Sequence, residues 1–214
     1  YRDVLAELLT ARLGVGDVKK IFPGHTYKEL GVFTESGGFE VARSEERMEE
    51  LRRRMSSARA WAIPAELVTP DHVVERVPYL DKDKILGAFW CPTVGVVDSL
   101  RAGTLMRESA LALDALTVVS TVEVIGMDVE QGRIERVRTT GGDIEAETVV
   151  IACGVWSPKL AKMAGASIPL TPAVHQMISV GPCEQLAERP GEISFPIVRD
   201  MDTFCYERQH GSDM

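Results

Sequence analysis

The sequence predicts an α+β fold: a β meander running into a buried strand, joined to a mixed sheet with flanking helices. Three observations predict it. Apolar residues recur at helical spacing in the first half, short apolar runs separated by tight turns dominate from residue 117, and the last third alternates without a long helix. With 214 residues, 45% of them hydrophobic, the chain can bury a real core.

Taken in order, residues 1 to 13 place Val4, Leu5, Leu8 and Leu9 on one helical face, and Gly14 supplies a left-handed stop. Residues 15 to 38 show no clean period and read as loop with short extended pieces before the Gly37-Gly38 turn and Phe39-Glu40-Val41. Ser44 can cap a helix carrying Met48, Leu51, Met55 and Ala58, with glutamates early and Arg52, Arg53, Arg54 and Arg59 late, as the helix dipole favours. The arginine run reads as a solvated face and is given no chemistry. Thr69-Pro70-Asp71 starts a short helix that Pro78 stops. Gly87 to Trp90 is a strand candidate, and Asp98 caps a further helix with Leu100, Leu105, Met106, Leu111 and Leu113.

From Thr117 the texture becomes β: Val118-Val119, Val122 to Ile125, a Gln131-Gly132 turn, Ile134 to Thr140, a Gly141-Gly142-Asp143 turn and Ile144 to Ala146. This antiparallel meander runs into residues 148–154, Thr-Val-Val-Ile-Ala-Cys-Gly, an apolar run that reads as a strand buried on both faces. Ser157-Pro158 opens another helix. Residues 174 to 180 alternate as a strand, and Pro196 to Val198 and Phe204 to Arg208 read as further short strands.

Several function classes fall away. A net charge of −8 disfavours nucleic-acid and anionic-membrane surfaces, which need basic patches. No apolar run is long enough to span a bilayer, and the start lacks a secretory pattern. Cys91, Cys153, Cys183 and Cys205 form no CxxC pair, so reduced thiols in a cytoplasm, or in a mitochondrial matrix for a eukaryote, are expected. The histidines are too scattered for a metal site, and Ser157 sits in no G-x-S-x-G elbow. The absence of an initiator Met and the ending just after a strand predict an interior piece of a longer chain.

The stretch 148–158 carries the chemistry. A strand ending in Ala152-Cys153-Gly154 leaves room for a ligand to approach the backbone, and the same small residues let a helix pack tightly on the strand. On the residues alone the two readings stand level. The order of the meander, Ala152-Cys153-Gly154, Trp156-Ser157-Pro158, Ile168-Pro169-Leu170-Thr171-Pro172 and Val174-His175-Gln176 resembles the FAD-dependent oxidoreductases of the D-amino-acid oxidase superfamily that act on sarcosine and dimethylglycine. Residues 37–42, 87–90 and 95–99 upstream, and 195–200 and 206–209 downstream, resemble the group in order and spacing; 15–36 do not. The family's G-x-G-x-x-G turn is absent.

The resemblance implies a partial FAD/NAD(P)-binding layer made by the meander, plus a mixed-sheet substrate domain. The expected boundaries are 1–36 for an N-terminal helix and loop and 37–116 for the first part of the substrate domain with its connecting helix. Residues 117–166 are then the partial FAD-binding domain, and 167–214 the second part of the substrate domain. It also implies FAD as cofactor, with Val122, Val124, Ala152, Gly154 and Trp156 beside it, and the oxidation of a secondary or tertiary amino acid by hydride transfer to the flavin. His175 reads from periodicity as a structural histidine, whereas the resemblance places it at the flavin and substrate, orienting the amine and tuning its protonation. Tyr206 would contact the substrate carboxylate or cage N-methyl groups, against a plain half-buried strand aromatic; Arg208 would pair with a carboxylate, against a surface salt bridge. An electron-transfer flavoprotein or oxygen would accept the electrons. A non-catalytic binding or regulatory subunit on the same scaffold is the alternative, and a flavoenzyme for D-amino acids or glycerol phosphate stands third.

Overall fold

A computed structural model describes every residue except Tyr1, Glu188 and Pro190, and only the backbone of Arg12 and Leu13. Tyr1, the first residue of the expected N-terminal helix, thus lies outside the described residues. The chain divides into two compact units, residues 1–115 with 178–214, and residues 116–177.

The first unit is built on a five-stranded mixed sheet. Its strands are β2 (Gly38–Ala42), β3 (Glu66–Val68), β4 (Gly87–Cys91), β9 (Ile197–Asp200) and β10 (Cys205–Glu207), ordered β10-β9-β2-β4-β3. Only the β2–β9 pairing is parallel; the others are antiparallel. Side chains alternate across this sheet, so one face presents Phe39, Val41, Ala88 and Val198 to Val73 of α3 (Pro70–Arg76) and to Val77 that caps its end, forming the main core. On the opposite face stands α2 (Glu45–Ala60), which buries Leu51, Met55 and Ala58.

Both helices begin where the sequence says they should. The side chain of Ser44 accepts from Arg47 N at 3.2 Å, and that of Thr69 accepts from His72 N at 3.4 Å ahead of Pro70. Arg52, Arg53 and Arg54 are exposed, with Arg52 paired to Glu49 and Arg54 to Glu50 and Glu40.

A smaller layer completes this unit. Helix α1 (Arg2–Leu13) and α4 (Ser99–Ala112) meet the short pair β1 (Phe33–Glu35) and β5 (Gly95–Val97) around Val4, Val32 and Ala102. Gly14 ends α1 at φ +63°, its N–H donating to Thr10 O, and Asp98 caps α4 by accepting from Arg101 N at 2.9 Å. A one-turn α6 (Glu184–Ala187), not foreseen from the sequence, precedes β9.

The second unit is the predicted meander, β6 (Val124–Glu130), β7 (Arg133–Thr139) and β8 (Gly142–Ile144), followed by a 3-10 turn at Gly154–Trp156 and α5 (Ser157–Met163). The β6–β7 loop is the two-residue Gln131-Gly132, both at positive φ, the geometry that matches strand twist in a hairpin.

Three strand expectations are not met. Residues 148–153 form no ladder, and Val150 is 81% exposed rather than buried on both faces. Residues 174–180 form no strand either; both sides of the expected alternation are exposed, Val174 at 96% and Met177 at 90%. Val118-Val119 is likewise irregular and exposed. The physical reason is shared: an apolar extended run becomes a strand only where a neighbour takes its N–H and C=O groups. Among the described residues none does so for 148–153, where Cys153 N donates instead to Ser157 Oγ at 3.2 Å.

Candidate functional site

The second unit carries a cavity of about 280 Å³ between the start of β6 and the turn leading into α5, lined by Val124, Cys153, Trp156, Leu160 and Met163, with Glu123 and Lys159. The sequence sets up its walls locally. The β6–β7 ladder fixes Val124 opposite Thr139, and the 3-10 turn with Gly154 at φ +53° swings Trp156 out to 69% exposure while Ser157 is buried. Open space surrounds Gly154 where a Cβ would stand. An apolar wall and one exposed indole suit the flat face of a ring system, with Glu123 and Lys159 as one acid and one base at its rim.

The second candidate place lies on the first unit, on the α2 side of β9 and β10. Register sets Tyr206 opposite Arg199, while Glu207 pairs with Val198 and faces the α3 side. Gln209 is buried on that inner side, its Oε1 accepting from Ser194 N at 2.6 Å and Phe195 N at 3.2 Å. Arg208 lies just past the end of β10, and the same alternation, continued by one residue, would set it on the outer side with Tyr206. Tyr206 is 67% exposed, and among the described residues neither Arg199 nor Arg208 enters an ion pair.

Burial, then the charge of Asp200, holds the Glu207 carboxyl above its usual value. Burial, and after it the charges of Glu207 and Cys183, pushes the Tyr79 phenol well above the usual tyrosine range, and its hydroxyl has no hydrogen-bond partner among the described residues.

Of the residues singled out from sequence, Val124 and Trp156 are brought together at one cavity, Tyr206 stands on the sheet opposite Arg199, and Arg208 lies one residue past the end of β10. Val122 is half-buried and packs by Gly141 rather than lining the cavity, and Ala152 and Gly154 are exposed beside it. His175 lies in the irregular exposed stretch 166–183, with no hydrogen bond among the described residues. The sequence reading passed over Arg199, Lys159 and Cys153. Arg199 was findable: a hairpin between 197–200 and 205–207 sets an arginine beside Tyr206.

Against known proteins, residues 18–213 match the family described as FAD dependent oxidoreductase. The chain is similar to the mitochondrial sarcosine dehydrogenase of Mus musculus, 28% identical over 98% of this chain and 22% of that protein. It is similar to the mitochondrial dimethylglycine dehydrogenase of Rattus norvegicus, 25% identical over 83% of this chain and 20% of that protein. It thus spans only 20 to 22% of the length of these curated relatives. The fold matches that of L-proline dehydrogenase from P. horikoshii with a TM-score of 0.72 and 23% identity, over 98% of this chain and 53% of that one.

Proposed function

The chain belongs to the FAD-dependent oxidoreductase family, and from that premise we propose that it is the part of an amine oxidoreductase that holds a secondary or tertiary amino acid and one wall of the flavin site. FAD is the family's cofactor and supplies, when bound, the two-electron acceptor for oxidation of the substrate C–N bond. The cavity of about 280 Å³ fits one ring system of the dinucleotide, not the whole molecule. Val124 and Trp156 would hold that ring, Lys159 would face its anionic attachment, and Val122, Ala152 and Gly154 would shape the backbone beside it.

Tyr206 and Arg208 bind the substrate carboxylate, the guanidinium as a bidentate fork and the phenol as a single donor. For His175, which belongs to the second unit, the proposed role rests on the family likeness alone: a base that keeps the amine neutral, since only a neutral amine has a lone pair to release into the forming C=N bond. An N-methylglycine is the smallest substrate that meets these requirements, and oxygen or an electron-transfer flavoprotein takes the electrons onward. The compartment is a reducing one, a cytoplasm or a mitochondrial matrix, in line with four free cysteines and with relatives named as mitochondrial.

The observation that carries the reading is the exposed Tyr206 with Arg199 opposite it, an arginine that enters no ion pair among the described residues, on one open sheet face, in a chain of this family. The test is anaerobic addition of sarcosine or dimethylglycine to the FAD-loaded protein that contains this chain. Bleaching of the flavin band is expected, with Arg208→Gln raising the substrate concentration needed by about tenfold or more. A bound flavin that no N-methylated amino acid bleaches would refute the proposal and leave a binding scaffold without this chemistry.

A further inference from the structure

The open face of β9 and β10 holds one more cation than a simple amino acid can use. Arg199 is fixed opposite Tyr206 by the antiparallel β9–β10 register and opposite Glu40 by the parallel β2–β9 register. Glu40 is the carboxylate within cross-strand reach, but it is 6% exposed and its Oε2 accepts from Arg54 of α2 at 2.6 Å. Its Oε1 has no partner, so Arg199 is not bound by it. Asp200, the next acid along β9, holds Arg43 at 3.4 Å, and Glu207 faces the other side of the sheet. Two guanidinium groups, Arg199 and Arg208, are therefore left around the Tyr206 phenol.

Arg208 follows the last paired residue of β10, Glu207; continued strand alternation would set it diagonal to Arg199, where side chains stand about 7–8 Å apart by the usual strand spacing. Like charges at that distance repel, and an anion that bridges them removes the repulsion. Each guanidinium presents a planar fork that matches one carboxylate in a bidentate pair. A single carboxylate satisfies one fork and leaves the other facing solvent.

We propose that the row Arg199–Tyr206–Arg208 recognises a ligand with two carboxylates, so that the preferred amine substrate is an N-substituted dicarboxylic amino acid rather than a monocarboxylic one. In its catalytic part this rests on the amine-oxidation reading; in its binding part it does not. Arg199 is then a specificity-determining residue, and Arg208 holds the other carboxylate.

Two measurements test it. In the FAD-loaded protein, N-methylaspartate and N-methylalanine differ by one carboxylate, and kcat/KM should favour N-methylaspartate by about tenfold or more. Arg199→Gln should collapse that ratio toward unity, and Arg199→Lys, which keeps the charge and loses the fork, should restore only part of it. Independently of turnover, calorimetric titration at constant ionic strength should show succinate binding about tenfold tighter than butyrate, with the difference lost in Arg199→Gln.

A wild-type protein that binds succinate no better than butyrate, or an Arg199→Gln variant that keeps the preference, overturns the inference. If neither amine is oxidised while the succinate preference stays Arg199-dependent, the amine-oxidation reading fails and the dicarboxylate site stands. If N-methylalanine is oxidised as well as N-methylaspartate and succinate binding is not selective, the reverse holds.

Discussion

Glu7 is the residue on which the N-terminal layer should turn. Its side chain is 3% exposed, yet it belongs to α1 and reaches across to the chain entering β1. Oε2 accepts from Leu30 N at 2.5 Å and Gly31 N at 3.0 Å, and Oε1 from Val32 N at 2.6 Å and Phe33 N at 2.9 Å. One carboxylate thus replaces the partners that a strand would otherwise supply for four successive amides. In Glu7→Ala the buried Val32 N–H loses its acceptor, at a cost of about 1–3 kcal/mol, while each half-buried amide recovers water and loses about 0.5–1 kcal/mol. The sum is about 2.5–6 kcal/mol, enough to lower Tm by on the order of 10 °C for a unit of this size. Glu7→Gln separates charge from geometry. Its amide keeps one acceptor oxygen and turns an NH₂ toward the other two donors, so it should lose at least half as much as alanine. The assay is amide hydrogen exchange at residues 30 to 33, which reads this layer directly and does not assume that both units unfold together. Protection at those amides that falls by less than about 1 kcal/mol in Glu7→Ala, or not at all in Glu7→Gln, would refute the reasoning.

Further outcomes follow from single contacts. Gly37 sits at φ +74°, and a Cβ there would fall inside the Trp90 ring that stacks 4.3 Å from Phe39; Gly37→Ala should cost about 2–4 kcal/mol, read from a urea midpoint followed by tryptophan fluorescence. Tyr79→Phe removes a buried hydroxyl that has no partner, so it should stabilise by about 1 kcal/mol and flatten the loss of stability above pH 10. Glu207 has a carboxyl raised above its ordinary value of 4.5 by burial and by Asp200. Its contribution is therefore complete below that value and declines as pH rises through the folded-state pKa. Glu207→Gln should be more stable than the parent at pH 7, with the advantage vanishing in acid, as checked by denaturant midpoints across pH.

What could be read from the sequence was mostly local. Ser44, Thr69 and Asp98 each accept the hydrogen bond that their position before an apolar period implies, and Gln131-Gly132 makes the expected tight hairpin. Pairings between distant segments were not legible. Nothing in residues 38–42 announces that their parallel neighbour is 197–200, and that pairing sets Glu40 beside Arg199. Glu7 was equally silent, since an acid on a helix reads as solvated until the amides it serves come within reach. The failure at 148–154 has a different origin. Hydrophobic texture reports that a segment avoids water, not that a partner strand stands next to it, so Val149 to Ala152 read as buried while Val150 is 81% exposed.

The two candidate places therefore differ in kind. At the cavity beside α5, Val124, Leu160 and Met163 would be there for packing even if no ligand ever bound, because apolar residues between a strand and a helix serve both ends equally well. At the β9–β10 face the residues serve no packing purpose that would explain their charge. Tyr206 exposes two-thirds of its surface, and Arg199 is bound by no acid among the described residues although Glu40 stands directly across from it. A buried carboxylate that takes its counter-ion from α2 instead of from the neighbouring strand leaves that neighbour's guanidinium with spare capacity. Chemistry that needs an anion held in fixed orientation is better served by such spare capacity than by a pocket whose lining is already explained.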